Sequence, residues 1–146
     1  MKVEFHSGVR DKLEHACRFL RKAQAAGARV AVCGDATLLD RLDAGLWTFD
    51  AQSFVAHVRC RAGSAWRPGW ERTPAWLVDD ASLAPGAHVL LNLGPDMALG
   101  WERFERVIEI VEGTDEDSRA ARRRWRRYSE HAGAELVHHD LGGARP

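Results

Sequence analysis

The chain has 146 residues, of which 45% are hydrophobic and 29% are charged, and its formal net charge is zero. This length and composition are typical of one globular domain and exclude a disordered or fibrous chain. No stretch is long and apolar enough to span a bilayer, and the first residues lack the apolar core of a secretion signal. We therefore expect a single cytoplasmic α/β domain over residues 1–141, a disordered tail over 142–146, and no membrane association.

The apolar periodicity predicts alternating helices and strands. In the first half of the chain it predicts a helix over 8–26, a strand over 29–33, a helix through 38–46 and a strand over 53–61. Strands over 75–78 and 88–93 follow, and then a short helical stretch around Trp101 and Phe104 that leads into the run 106–112. A basic helix over 115–131 and a strand over 134–138 complete the pattern. The segment 63–74, which holds Trp66 and Trp70, is rich in Pro, Gly and Arg and predicts a loop. Strand 88–93 is almost continuously apolar, which is typical of a central strand covered on both faces. The alternation predicts a three-layer fold with a mostly parallel central sheet flanked by helices.

The motifs of common enzymes and metal sites are missing. The turn Cys33–Thr37 lacks the Gly-Lys-Ser/Thr ending of a phosphate-binding loop, and the three cysteines form no Cys-x-x-Cys pair. His138 and His139 are adjacent in a predicted strand, so their side chains point to opposite faces and do not easily share one ion. Glu102, Glu105 and Glu109 alternate with arginines, which indicates a solvated charged face. We predict no catalytic site, no metal and no cofactor.

The strongest charge signal is the predicted helix near the end of the chain. Residues 119–146 hold 7 of the 21 Lys and Arg but only 3 of the 21 Asp and Glu. Helical spacing places one set of arginines on a single face and an apolar stripe towards the sheet; the two sets are Arg119, Arg122, Arg123 and Arg126, and Ala121, Trp125 and Tyr128. The acidic residues 115–117 could serve as local counter-ions, which gives a purely structural interpretation. A functional interpretation requires an anionic partner, and the neutral chain favours a short acidic peptide over nucleic acid.

Three large aromatic residues, Trp47, Phe49 and Phe54, fall within eight positions. They lie at the end of a predicted helix and in the strand that follows. Each of them could be a core residue, but a small helix–strand corner rarely buries three rings of this size. The group therefore has two interpretations from the sequence, core packing or a partner-facing hot spot.

Several blocks of this sequence resemble one known family. The segments 26–33, 40–50 with 53–57, 89–93, 106–111 and 122–128 are similar, in the same order, to the signature blocks of the chi subunit of bacterial DNA polymerase III. This resemblance implies a nucleotide-binding-like α/β topology without a phosphate-binding loop. It also implies a non-enzymatic accessory subunit of the clamp-loader assembly.

The resemblance further implies two protein-binding surfaces. Trp47 and Phe54, with Phe49 beside them, match positions that contact the psi subunit. Arg122, Trp125 and Arg126, joined by His138, match positions that bind the acidic, phenylalanine-terminated tail of single-stranded DNA-binding protein. The function implied is a replication adaptor that associates with single-stranded DNA only indirectly. The alternative is direct binding of single-stranded nucleic acid by the arginine helix, with Trp66 and Trp70 as stacking platforms.

Overall fold

The computed structural model describes residues 1–49, 54–61, 63, 65–84 and 86–142. Within these residues the chain forms one seven-stranded sheet: β1 (Lys2–Val9), β2 (Val30–Cys33), β3 (Val58–Cys60), β4 (Ala75–Val78), β5 (Val89–Asn92), β6 (Arg106–Glu112) and β7 (Glu135–Asp140). The strand order is β3-β4-β2-β5-β6-β1-β7, and every neighbouring pair is parallel. The sheet is therefore wholly parallel, and β5 holds the central position that its apolar sequence predicts.

Three α-helices cover the sheet: α1 (Lys12–Ala25), α2 (Ala36–Thr48) and α3 (Asp115–Ser129). Each helix begins at a short polar residue whose side chain accepts a hydrogen bond from a backbone N–H of the first turn. These N-caps are Asp11, Asp35 and Thr114. Such caps satisfy backbone donors that have no partner within the helix, so they fix where each helix starts.

The core lies in two layers, one on each face of the sheet. Val32 and Leu91 point towards α1 and α2, while their neighbours Ala31 and Leu90 point towards α3. This alternation follows from the two-residue period of a strand. The predicted three-layer fold is confirmed. None of the helices in the described part of the chain has both the length and the apolarity that a bilayer span requires.

The structure corrects several boundaries of the sequence analysis. Strand β1 was not predicted, and α1 is shorter than the predicted helix over 8–26. The predicted strand over 53–61 is reduced to β3, with Ser53 outside the described residues. The expected tail over 142–146 also lies outside them except for Gly142. Assigning Glu109 to a solvated face was wrong, because its side chain is fully buried in β6. Its hydrogen-bond partners are not its neighbours in sequence but residues of β5 and α3.

Candidate functional site

A buried polar network fixes α3 on the sheet. The carboxylate of Glu109 accepts hydrogen bonds from Arg124 Nε at 2.9 Å, from the Tyr128 hydroxyl at 2.6 Å, and from Asn92 Nδ2 at 3.1 and 3.0 Å. Burial raises the pKa of Glu109, and the Arg124 guanidinium opposes that shift. Arg124 therefore belongs to the core and not to the cationic face of the helix. Because a buried charge is costly unless it is paired, this network sets the rotation of α3 about its axis.

A groove runs between α3 and the β1 and β7 edge of the sheet. It has a volume of about 320 Å³ and is lined by Phe5, Ser7, Val111, Ser118, Ala121, Arg122, Trp125 and His138. The Trp125 ring packs edge-on against Phe5, with ring centroids 5.2 Å apart, and its centroid lies 6.5 Å from that of His138. The Ser7 hydroxyl and His138 Nε2 are hydrogen-bonded at 2.6 Å. The groove thus combines an apolar, aromatic wall with polar groups from β1 and the edge strand β7.

The rim of the groove is cationic. Arg122 lines it, and Arg126 lies one helical turn further along the exposed side of α3. Among the described residues, no acidic side chain lies within 4.0 Å of the guanidinium groups of Arg119, Arg122, Arg123 or Arg126. The acidic residues at the start of α3 therefore do not neutralise this rim, and it can meet an anionic partner.

The structure thus brings together three of the four predicted groove residues, Arg122, Trp125 and His138, with Arg126 beside them. Sequence reasoning missed Phe5 and Ser7, because no element had been assigned to residues 2–7. The signal was present in the sequence, since Val3 and Phe5 alternate with polar residues as in a half-buried strand.

A second surface lies at the end of α2. Trp47 is 63% exposed and Phe54 is 59% exposed, and their ring centroids are 5.3 Å apart. The His57 ring lies 5.4 Å from that of Trp47. We call Trp47 and Phe54 the aromatic patch, because the His57 side chain is itself buried. Large rings that are exposed in contact with one another are typical of partner-binding hot spots.

Hydrogen bonds and core packing hold the aromatic patch in place. The side chain of Gln24, on α1, donates to the Phe54 carbonyl at 3.1 Å and accepts from the Ala56 N–H at 2.9 Å. Val55 is buried in the core, and His57 Nε2 lies 2.8 Å from Asp43 Oδ1. The segment that presents Phe54 is thereby tied to both helices, although it belongs to no helix or strand.

The third predicted aromatic residue, Phe49, is separate from this patch. It is half-buried and packs against the core on the α1 and α2 face, where the Arg21 guanidinium lies 5.4 Å from its ring centroid. The structure therefore brings together Trp47 and Phe54, whereas Phe49 packs on the core.

The loop tryptophans lie far from the arginine helix. Trp66 and Trp70 pack edge-on with centroids 5.4 Å apart, and the Trp70 carbonyl accepts a hydrogen bond from buried Trp76 in β4. Helix α3 packs on β6 and β7. From β4 to β6, the nearer of these two strands, the sheet order counts three strand spacings, or about 14 Å. The tryptophans therefore pack over a different part of the sheet from the arginine helix.

The adjacent histidines of β7 point to opposite faces of the sheet, as strand geometry predicts. His138 faces Trp125 in the groove, whereas His139 faces His6 with ring centroids 5.3 Å apart. Burial, together with the rings of His15 and His139, lowers the pKa of His6 to about 4, so its imidazole is neutral at physiological pH. Glu4, His6 and His139 could together hold a metal ion. This cluster was not found from the sequence because it needs the pairing of β1 with β7.

The sequence pattern and the fold define a three-layer α/β protein with a parallel sheet and no phosphate-binding-loop sequence after β2. The sequence model of the DNA polymerase III chi subunit, HolC, matches residues 1–136. The chain belongs to this family, which confirms the resemblance found in the sequence blocks.

Two curated relatives match a shorter part of the chain. They are the Fe(3+) ions import ATP-binding proteins FbpC 2 and FbpC 1 of Rhodococcus jostii (strain RHA1), which are 35% and 34% identical to this chain over 92 residues. Each match covers 63% of this chain and 26% of the relative. The chain therefore spans about a quarter of the length of these relatives, and the similarity is a local one.

Proposed function

We propose that this protein is a non-enzymatic, cytoplasmic accessory subunit of DNA polymerase III that connects the clamp loader to single-stranded DNA-binding protein. Membership of the chi subunit family supports the accessory role. The observation that carries the rest is the groove beside α3, where an aromatic wall adjoins guanidinium groups that no acidic side chain of the described residues pairs. That combination suits a peptide that has both acidic residues and an apolar anchor.

The groove chemistry matches the acidic tail of single-stranded DNA-binding protein. Trp125, packed against the buried ring of Phe5, offers an apolar face to the terminal phenylalanine of the tail. Arg122 and Arg126 can bind the carboxylates of the tail, because a guanidinium can donate two parallel hydrogen bonds to one carboxylate. His138 can donate a further hydrogen bond from the opposite wall. Each group thus has a defined role in holding one end of a polypeptide.

The second contact in this proposal is the psi subunit, docked on the aromatic patch. Trp47 and Phe54 supply exposed apolar area, and Phe49, the residue at the end of α2, packs on the core. The patch lies at the end of α2, on one face of the sheet, and the groove lies on the α3 face. Both partners can therefore bind at once. Joining two modest contacts through one rigid domain raises the local concentration of the polymerase assembly at coated single-stranded DNA.

ATP binding, suggested by the names of the curated relatives, is not part of this proposal. In ATP-binding α/β proteins, the N-terminus of the helix after a central strand holds phosphate. Here that position is taken by Asp35, whose side chain accepts the Leu38 N–H at 2.8 Å. This carboxylate would repel a phosphate, and the turn 34–37 contains no lysine.

A fluorescence anisotropy titration tests the proposal. The probes are an acidic peptide that ends in phenylalanine, the same peptide without that residue, and a bare oligothymidylate. We expect the complete peptide to bind about 10- to 150-fold more tightly than the truncated one, because burying a phenylalanine side chain contributes about 1.5–3 kcal/mol. Tight oligonucleotide binding with a steep salt dependence, without peptide binding, would support the nucleic acid alternative instead.

A further inference from the structure

The pairing of β1 with β7 brings a set of metal-binding side chains onto one face of the sheet. His6 and His139 are direct partners in the parallel register, and Glu4 lies two residues before His6. The two-residue period of a strand places all three side chains on the face covered by α1. One potential ligand atom from each residue lies within 4.8 Å of the other two. We propose that Glu4, His6 and His139 bind a divalent transition metal ion of the zinc class.

The surroundings of these three residues resemble the outer shell of a metal site. Nδ1 of His6 lies 3.0 Å from Nε2 of His15 on α1, so a hydrogen bond can fix the ring and leave one His6 nitrogen for an ion. Glu4 is paired with Arg106, and its Oε1 lies 3.5 Å from Nε2 of His139. Metal-binding imidazoles and carboxylates are commonly oriented by such additional hydrogen bonds. The three side chains are therefore partly preorganised.

An ion can reach this site from solvent. The cluster lines a cavity of about 590 Å³ between α1 and the sheet, and the side chain of His139 is 46% exposed. Two imidazoles and one carboxylate form the donor set of many zinc sites that keep open coordination positions. Imidazole ligands also suit copper and nickel, and the cluster contains no thiolate. Because Arg106 neutralises the charge of Glu4, binding depends mainly on the two imidazoles.

We expect the ion to cross-link the edge strand β7 to its neighbour β1. Strand β7 lies at the end of the described sheet and pairs only with β1. A ligand that binds the folded chain and not the unfolded one raises the unfolding temperature. Zinc should therefore stabilise the protein through a contact between these two strands.

Isothermal titration of zinc chloride into the full, chelator-treated chain tests this inference. We expect one zinc ion to bind per chain and the unfolding temperature to rise. His139→Ala should weaken binding at least tenfold, and its exposed edge position makes it the variant that disturbs the fold least. His131→Ala removes an exposed histidine outside the cluster and should leave zinc affinity unchanged.

Circular dichroism of each variant shows whether the fold is kept. Equal zinc affinity in the wild-type chain and His139→Ala would overturn the proposal, as would the absence of a saturable titration in the wild-type chain. Neither result would bear on peptide binding, because the groove lies on the opposite face of the sheet.

Discussion

Replacing Arg122 by alanine should weaken the binding of the acidic tail peptide more than the loss of any other exposed arginine on α3. Arg122 lines the groove, and no acidic side chain of the described residues neutralises it. Its guanidinium is therefore available to a carboxylate of the peptide. Removing it leaves that carboxylate at the rim of an apolar groove without a charged partner.

The magnitude follows from opposing contributions. Two unit charges about 4 Å apart attract by about 4 kcal/mol at an effective dielectric constant of about 20. Ordering a long arginine side chain costs up to about 2 kcal/mol, and partial desolvation of the pair costs more. A net loss of about 1–3 kcal/mol remains, as is usual for hydrogen bonds to charged groups. This corresponds to a dissociation constant about 5- to 150-fold higher.

The control is Arg127→Ala, which makes the same change in net charge on the same helix. Arg127 is exposed and lies about 140° around the helix axis from Arg122, so it does not line the groove. At physiological ionic strength the screening length is about 8 Å. Loss of the Arg127 charge should therefore change peptide affinity less than about twofold. Fluorescence anisotropy with the labelled peptide measures both variants. Equal weakening by both would show that the peptide senses only overall charge, and the assignment of Arg122 would then be wrong.

Three further changes test other parts of the structure. Trp125→Ala removes the aromatic wall of the groove and should weaken binding of the phenylalanine-terminated peptide about tenfold, while the truncated peptide changes little; equal losses for both peptides would contradict this role. Gln24→Ala releases the backbone that presents Phe54 and should reduce co-purification with the psi subunit. Binding of the tail peptide, measured by anisotropy, should stay unchanged. Unaltered co-purification would argue against docking at the aromatic patch. Tyr128→Phe removes a buried hydrogen bond to Glu109 and should lower the free energy of unfolding in urea by about 1–3 kcal/mol, whereas an unchanged midpoint would show that the network contributes little to stability.

Local sequence patterns predicted most of the secondary structure. The apolar strands and the stripe of Ala121 and Tyr128 on α3 depend on residues close in the chain, so periodicity reveals them. Features that depend on distant residues were missed. Glu109 looks solvated beside its charged neighbours in sequence, but it is buried by Tyr128, which follows 19 residues later. The groove residue Phe5 likewise meets Trp125 only because β1 lies inside the sheet.

Strand β1 contributes side chains both to the groove and to the proposed metal cluster, which lie on opposite faces at one end of the sheet. Its residues alternate between faces, so Phe5 and Ser7 line the groove, while Glu4 and His6 face α1. The edge strand β7 alternates in the same way, with His138 facing the groove and His139 facing His6. Because each pair of adjacent residues serves opposite faces, a substitution on one face leaves the side chains of the other in place. The two sites therefore share the backbone of these strands but not their side chains, and a change that disorders β1 or β7 as a whole should affect both.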